Sequence, residues 1–173
     1  MNPLVFIYSH DQVFTEVKRE SSLLAERKFD QKGDSLFEQV VFDEEYLGLF
    51  RQLFFEAQAE VTVTLSAYMK DVPVEADYFE TQDFSKDRDY VFYLAMPEDW
   101  NYHLYKPVDV KVKEFLVAYI MYRWLETKLP EEAQVYFMRA TSVLADAKNM
   151  LEKRTKPIRF RHGFWESRTG LRG

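Results

Sequence analysis

Three histidines are the residues of this sequence best suited to catalysis or metal binding near neutral pH: His10, His103 and His162. Histidine changes charge close to pH 7, and its ring nitrogens bind metals. A protein metal site needs three or four converging ligands. None of the three histidines stands in an HxxxH or ExxH pattern, the spacings typical of two metal ligands on one helix face. We therefore predict no metal site and no cofactor.

Other patterns that support catalysis are also missing from the sequence. Residues 9–11 read SHD, but adjacent residues cannot converge as a nucleophile, base and orienting acid. The acidic run at residues 43–45 is typical of a helix start, where carboxylates favour the positive end of the helix dipole. Only Gly33 and Gly48 precede the last eleven residues, so no glycine-rich phosphate loop exists. The sequence predicts a protein that is not an enzyme and has no catalytic residues.

A basic and aromatic C-terminal arm is the strongest candidate for a binding element. From Lys153 onward the chain has seven Lys or Arg residues and one acid, whereas the rest has 16 basic and 28 acidic residues. The net charge of the whole chain is −6. Such an arm could be merely solvated, bind nucleic acid, or dock onto an acidic neighbour such as another copy. We favour docking because it uses both halves of the charge asymmetry. The predicted partner-binding residues are Lys156, Arg159, Phe160, Arg161, Phe164 and Trp165.

The elements that position these residues form, by prediction, a mainly α fold with a small β element. Apolar spacing predicts a long amphipathic helix over residues 43–69 and a C-terminal helical hairpin over 109–128 and 130–153. Residues 115–122 are apolar on nearly every side and should be the centre of the core. We expect one small helical domain over residues 1–154 and an extended basic arm over residues 155–173.

Several weaker features complete this prediction. Residues 3–8 and 90–96 are rich in strand formers, and the second segment should pair with residues 3–8 or 108–112. Residues 11–29 have only weak helical spacing, which Ser21 and Ser22 interrupt. Gly48 suggests a close helix–helix approach. Residues 30–34 predict a turn and residues 71–89 a surface loop. The rings of residues 100–105 form either a stacking platform or a loop folded under the central helix.

Composition limits where the protein acts. The chain has no cysteine, which excludes disulfides and suits a reducing compartment. Its N-terminus lacks the basic region of a signal peptide, and its longest apolar stretch is far shorter than the roughly 20 residues of a membrane span. Aromatic residues make up 17% of the chain, which indicates a heavily packed core, surfaces meant for partners, or both. We expect a cytoplasmic protein without membrane contact.

The order of the C-terminal segments carries a family resemblance. YLAMPEDWN (residues 93–101) is followed by VKEFLVAYIMYRWLE (112–126) and EEAQVYFMRATSVLADAKNMLEKRTKPIR (131–159). With VFTEVKRESSLLAERKF and LFRQLFFEAQAEVTVTLSAYM upstream, this pattern resembles uncharacterised proteins encoded beside head and tail genes in phages and prophages of Bacteroidales bacteria.

The resemblance implies a non-enzymatic structural or assembly role in a phage-like particle, as a neck, head–tail connector or tail-associated subunit. Its implied partners are other copies, as in a ring, and other phage structural proteins. Its implied location is the cytoplasm of the producing bacterium, or the virion. The alternative function is a small nucleic-acid-binding or regulatory module that uses the basic arm. The resemblance supplies no binding residues.

Overall fold

Helices make up most of this computed structural model, which describes residues 3–28, 35–69 and 87–155. The described residues contain two strands, four long α-helices, one single-turn α-helix and three 3₁₀ turns. The strands are β1 (Leu4–Tyr8) and β2 (Tyr90–Leu94), and the helices are α1 (His10–Ala25), α2 (Phe37–Val40), α3 (Leu47–Leu65), α4 (Tyr105–Leu125) and α5 (Pro130–Leu151). The predicted mainly α fold with a small β element is confirmed.

The central helix is α4, as its sequence predicts. Leu116 and Ile120 are fully buried, and the helix packs against α1, α3 and α5. It begins at Tyr105, earlier than the predicted residue 109. Pro107 falls in its first turn, where a proline costs no hydrogen bond because the N–H groups there have no partner within the helix.

Helix α5 completes the predicted hairpin. Pro130 occupies its first turn, and Glu131 and Glu132 follow at the positive end of the helix dipole. Small residues at intervals of seven lie on its buried face: Ala133, Ala140 and Ala147. Small side chains let two helices approach closely, which explains the extensive contact between α4 and α5.

The two strands form an antiparallel pair. Leu4 lies opposite Leu94, Tyr8 lies opposite Tyr90, and the rings of Phe6 and Phe92 stack with centroids 4.9 Å apart. Of the two predicted partners for the second strand, residues 3–8 are therefore correct. Residues 108–112 belong to α4 instead. All buried apolar residues of the described segments, from β1 to α5, join in one core cluster.

Helix α1 corrects the expectation of a broken segment over residues 11–29. The hydroxyl groups of Ser21 and Ser22 both donate to the carbonyl of Lys18, so they are satisfied within the helix. Ser21 Oγ also accepts the backbone N–H of Phe42 at 2.9 Å. The serines thus continue α1, and Ser21 ties it to the segment before α3.

The start of the α3 region agrees with the sequence in one respect and departs from it in another. The Asp43 carboxylate accepts the backbone N–H of Glu45 at 3.0 Å, as predicted for a helix cap, and a 3₁₀ turn over Glu44–Tyr46 leads into α3. A Cβ at Gly48 would meet nothing within 4 Å. The predicted close helix approach at Gly48 is therefore wrong.

Candidate interaction surfaces

The predicted binding residues Lys156, Arg159, Phe160, Arg161, Phe164 and Trp165 lie outside the described residues, as do the predicted turn at 30–34 and most of the loop at 71–89. The structure does describe where the arm begins. The N–H and hydroxyl of Thr155 both donate to the Asp99 carbonyl, at 2.8 and 3.1 Å. Arg154 forms a β-bridge with Trp100, and its Nε lies 3.4 Å from an Asp99 carboxylate oxygen. Thr155, the first residue of the predicted arm, is therefore held against Asp99.

Trp100 is a core residue rather than part of a stacking platform. Its side chain is fully buried, and its Nε1–H donates to the Met150 carbonyl at the end of α5, at 3.1 Å. Tyr102, by contrast, is half exposed and meets Trp100 edge to face. Because the faces of Trp100 are covered, this ring cannot stack on a base or a sugar.

His10 is the histidine whose surroundings the sequence does not reveal. The ring is buried and meets the rings of Phe50 and Phe54 at nearly right angles, with centroid distances of 5.0 and 5.9 Å. Nδ1 lies 3.2 Å from an Asp11 carboxylate oxygen, and Nε2 lies 3.4 Å from an Asp87 oxygen without an aligned hydrogen bond. One histidine and two carboxylates thus converge, although the sequence predicted isolated histidines.

The His10 cluster fits a structural polar anchor better than a metal site. Arg51 Nε donates to the same Asp87 oxygen at 2.7 Å, so a guanidinium already compensates that carboxylate. The Asp87 pKa is lowered mainly by this hydrogen bond. Asp89 accepts the backbone N–H of His10 at 2.9 Å, which joins the start of α1 to the approach to β2. Sequence reasoning missed this cluster because Asp87 lies far from His10 in the chain and its segment has no periodicity.

Lys128 is a second side chain in an unusual environment. Its ammonium lies 3.0 Å from the centroid of the Trp124 ring and 5.3 Å from that of Tyr46, and it donates to the Gln39 carbonyl at 2.8 Å. Burial lowers the pKa of Lys128 to about 8, whereas the ring faces and the carbonyl favour the charged form. Because its donors are engaged with the protein, Lys128 fastens the end of α4 to residues 39–46 rather than serving as a free nucleophile.

A charged cleft of about 420 Å³ lies between α1, α4 and α5. Its walls carry mostly ion-paired residues of both signs. Arg139 reaches Glu20 at 3.3 Å and Glu114 at 3.1 Å, which links all three helices. The remaining lining residues are Glu16, Arg19, Asp109, Val110, Lys113 and Val117. Because its charges largely compensate one another, the cleft has no strong preference for a charged ligand of either sign.

The outward stripe of α5 has the character of a contact surface. Between Glu131 and Glu152, the positions directly opposite the buried face of α5 carry no charge. These exposed residues are Gln134, Val135, Met138, Thr141, Ser142, Ala145 and Asn149. Val135 is 59% exposed and Met138 is 63% exposed. An outward helix face is normally rich in charged residues, so we name these seven residues the α5 stripe and treat it as a candidate interface.

Comparison of the chain with protein-family models, with curated proteins and with solved structures finds no match. Within residues 3–28, 35–69 and 87–155, no helix has the length and apolar character needed to cross a membrane.

Proposed function

We propose that this protein is a non-enzymatic structural or assembly protein of a phage-like particle, a neck, head–tail connector or tail-associated subunit. It acts through protein–protein contacts with further copies, in a ring or another oligomer, and with other structural proteins of the particle. The sequence resemblance supports the phage setting. The observation that carries the assembly role is the anchoring of Arg154 and Thr155, where the predicted arm begins, to Asp99 and Trp100.

A fixed exit makes an arm useful for assembly. Because Thr155 is held by two hydrogen bonds, the arm of each copy begins at the same place on the body. The described body carries 21 acidic and 15 basic side chains, so it attracts a basic segment. A basic arm and an acidic body are two different complementary surfaces on one chain. Such a heterologous pair builds a ring when the rotation between copies closes.

The assembly role is tested with charge reversal in the arm. We expect the full-length protein to self-associate in light scattering, or to bind other particle proteins, and the Arg159→Glu/Arg161→Glu variant to lose that association. Arg27→Glu/Lys106→Glu is the matched control, since both residues are exposed cations of the body and the pair of substitutions makes the same change in charge. An arm variant that associates as strongly as the parent would rule out the arm as the contact.

The phage setting and the alternative function need separate measurements. Mass spectrometry of purified particles from a producing bacterium should detect the protein if it is a virion component. Fluorescence anisotropy with a labelled single-stranded oligonucleotide tests the nucleic-acid alternative. We expect weak binding that vanishes at physiological salt, because the acidic body repels a polyanion. Tight binding that depends on Arg159 and Arg161 would instead favour the nucleic-acid module.

A further inference from the structure

We propose that the α5 stripe binds the same stripe of a second copy, with the two α5 helices antiparallel about a twofold axis near the level of residue 140. This inference rests on the proposed assembly function and deepens it, because it names the partner of one surface. The starting observation is that the stripe is exposed and uncharged over four turns of a helix whose opposite face is fully buried.

The sizes of the side chains fit this arrangement. The first half of the stripe carries the bulky Val135 and Met138, and the second half carries the small Ser142 and Ala145. Antiparallel pairing about residue 140 places Val135 opposite Ala145 of the second copy and Met138 opposite its Ser142. Each bulky side chain then meets a small one, which is how closely packed helices interdigitate. A parallel pair would instead set bulky residues against bulky ones.

The charges at the two ends of α5 also fit the antiparallel arrangement. Glu131 and Lys148 are both exposed, and they lie at opposite ends of the stripe. In the antiparallel pair, Glu131 of each copy lies beside Lys148 of the other, and the two helix dipoles oppose each other. In a parallel pair, like charges and like dipole ends would be adjacent. Charge and size therefore favour the same orientation, and the stripe is complementary to that of a second copy.

The size of the stripe sets the expected strength of the contact. From Gln134 to Asn149 the helix rises by about 22 Å, which gives an interface well below the roughly 1,200–2,000 Å² of a stable complex. The contact by itself should therefore be weak. If the arm already holds two copies together, the α5 contact forms within one assembly. The high effective concentration there lets a weak contact increase the stability of the assembly.

Disulfide crosslinking tests the geometry directly, because the chain has no cysteine of its own. We expect full-length Thr141→Cys to form a covalent dimer under mild oxidation, since residue 141 lies next to its own copy across the axis. Asn149→Cys alone should not, because the two copies of residue 149 would be about 27 Å apart along the helices. The double variant Glu131→Cys/Asn149→Cys should crosslink. Gln12→Cys, on the exposed side of α1, is the background control.

Two results would overturn the inference. One is a Thr141→Cys yield no higher than that of Gln12→Cys. The other is equal crosslinking at residues 141 and 149, which indicates parallel helices. A charge at the centre gives a second measurement: Met138→Glu added to Thr141→Cys should abolish the crosslink, whereas Gln12→Glu should not.

The same variants separate this inference from the proposed function. If Met138→Glu leaves self-association by light scattering unchanged while the arm charge reversal abolishes it, the assembly role stands and the α5 contact is wrong. If the parent protein associates with neither itself nor any particle protein, the proposed function fails together with the inference.

Discussion

His10 shows how one buried side chain can fasten distant segments of a chain. Its ring packs on Phe50 and Phe54 of α3, and its nitrogens face Asp11 of α1 and Asp87 before β2. The contact with α3 is apolar and the contacts with the carboxylates are polar. A residue that makes both kinds of contact is hard to replace, because no other side chain combines an aromatic ring with two ring nitrogens.

The first prediction follows from that burial. We expect His10→Ala to lower the free energy of unfolding by about 2–4 kcal/mol, through a cavity beside Phe50 and Phe54 and the loss of the polar contacts of the ring nitrogens. His103→Ala is the matched control. His103 is exposed, so its loss should change stability by less than about 0.5 kcal/mol. Urea denaturation followed by circular dichroism measures both.

Equal effects of the two substitutions would contradict the structural role of His10. These two variants, together with His162→Ala, also check the non-enzymatic proposal. A reproducible catalytic activity that disappears in His10→Ala, His103→Ala or His162→Ala would contradict that proposal.

Buried tyrosines predict a loss of stability at high pH. Burial raises the pKa of Tyr8, whose hydroxyl donates to the Asp109 carbonyl, and burial together with the nearby Glu20 raises the pKa of Tyr136 to about 12. In the unfolded chain tyrosine ionises near pH 10. Between about pH 10 and 12 the unfolded state therefore binds fewer protons than the folded state, and the free energy of unfolding falls as pH rises.

Denaturant titrations at a series of pH values test this second prediction. The fall should begin near pH 10 in the parent and be shallower in Tyr136→Phe. Around neutral pH, Tyr136 is protonated in both the folded and the unfolded state. The free energies of unfolding of parent and variant should therefore differ by a constant amount there. A variant whose stability falls as steeply as that of the parent above pH 10 would show that Tyr136 is not responsible.

Among the helices and strands, α4 forms the centre of the core. We expect Leu116→Asp or Ile120→Asp to cost several kcal/mol and to prevent folding, because each would bury a charge without a partner. Val110→Asp on the same helix is the control, since Val110 is 61% exposed. Thermal melting compares the three variants. If Ile120→Asp melts like Val110→Asp, α4 is not the centre of the core.

The elements that the sequence predicted well are those whose apolar spacing is strong over many turns. Residues 115–122 are apolar on every side, and Pro130 marks the start of α5, so both helices could be predicted without knowledge of their partners. Helix α1 could not be predicted as well. Its serines look like interruptions until the carbonyl of Lys18 and the N–H of Phe42 are placed beside them.

Contacts between distant segments could not be predicted from the sequence. Two segments qualified as partners for β2, and only the packing of β1 over the core decides between them. The approach of Asp87 to His10 depends on the same pairing. The uncharged character of the α5 stripe is visible in the sequence, but its exposure becomes clear only once the alanine-rich face is seen to pack on α4.

For the whole molecule, the arm should be dispensable for folding. We expect removal of residues 156–173 to leave the body folded, with a melting temperature within a few degrees of the parent, because Thr155 and its bonds to Asp99 remain. Self-association or partner binding should weaken. Calorimetry and light scattering on the truncated protein measure the two effects. A truncated protein that unfolds would show that the arm belongs to the core and does not serve assembly.

The pairing of β1 with β2 also determines when this chain can fold during its synthesis. β1 is made near the beginning of the sequence, but Leu94, the partner of Leu4, is made 90 residues later. At roughly 5–20 residues per second a ribosome needs several seconds to reach it. The centre of α4 follows later still, so the early helices leave the ribosome before their core exists. Until then the apolar strand around Phe6 and Ile7 has an unpaired edge. A chaperone that binds nascent chains would protect this edge mainly during that interval.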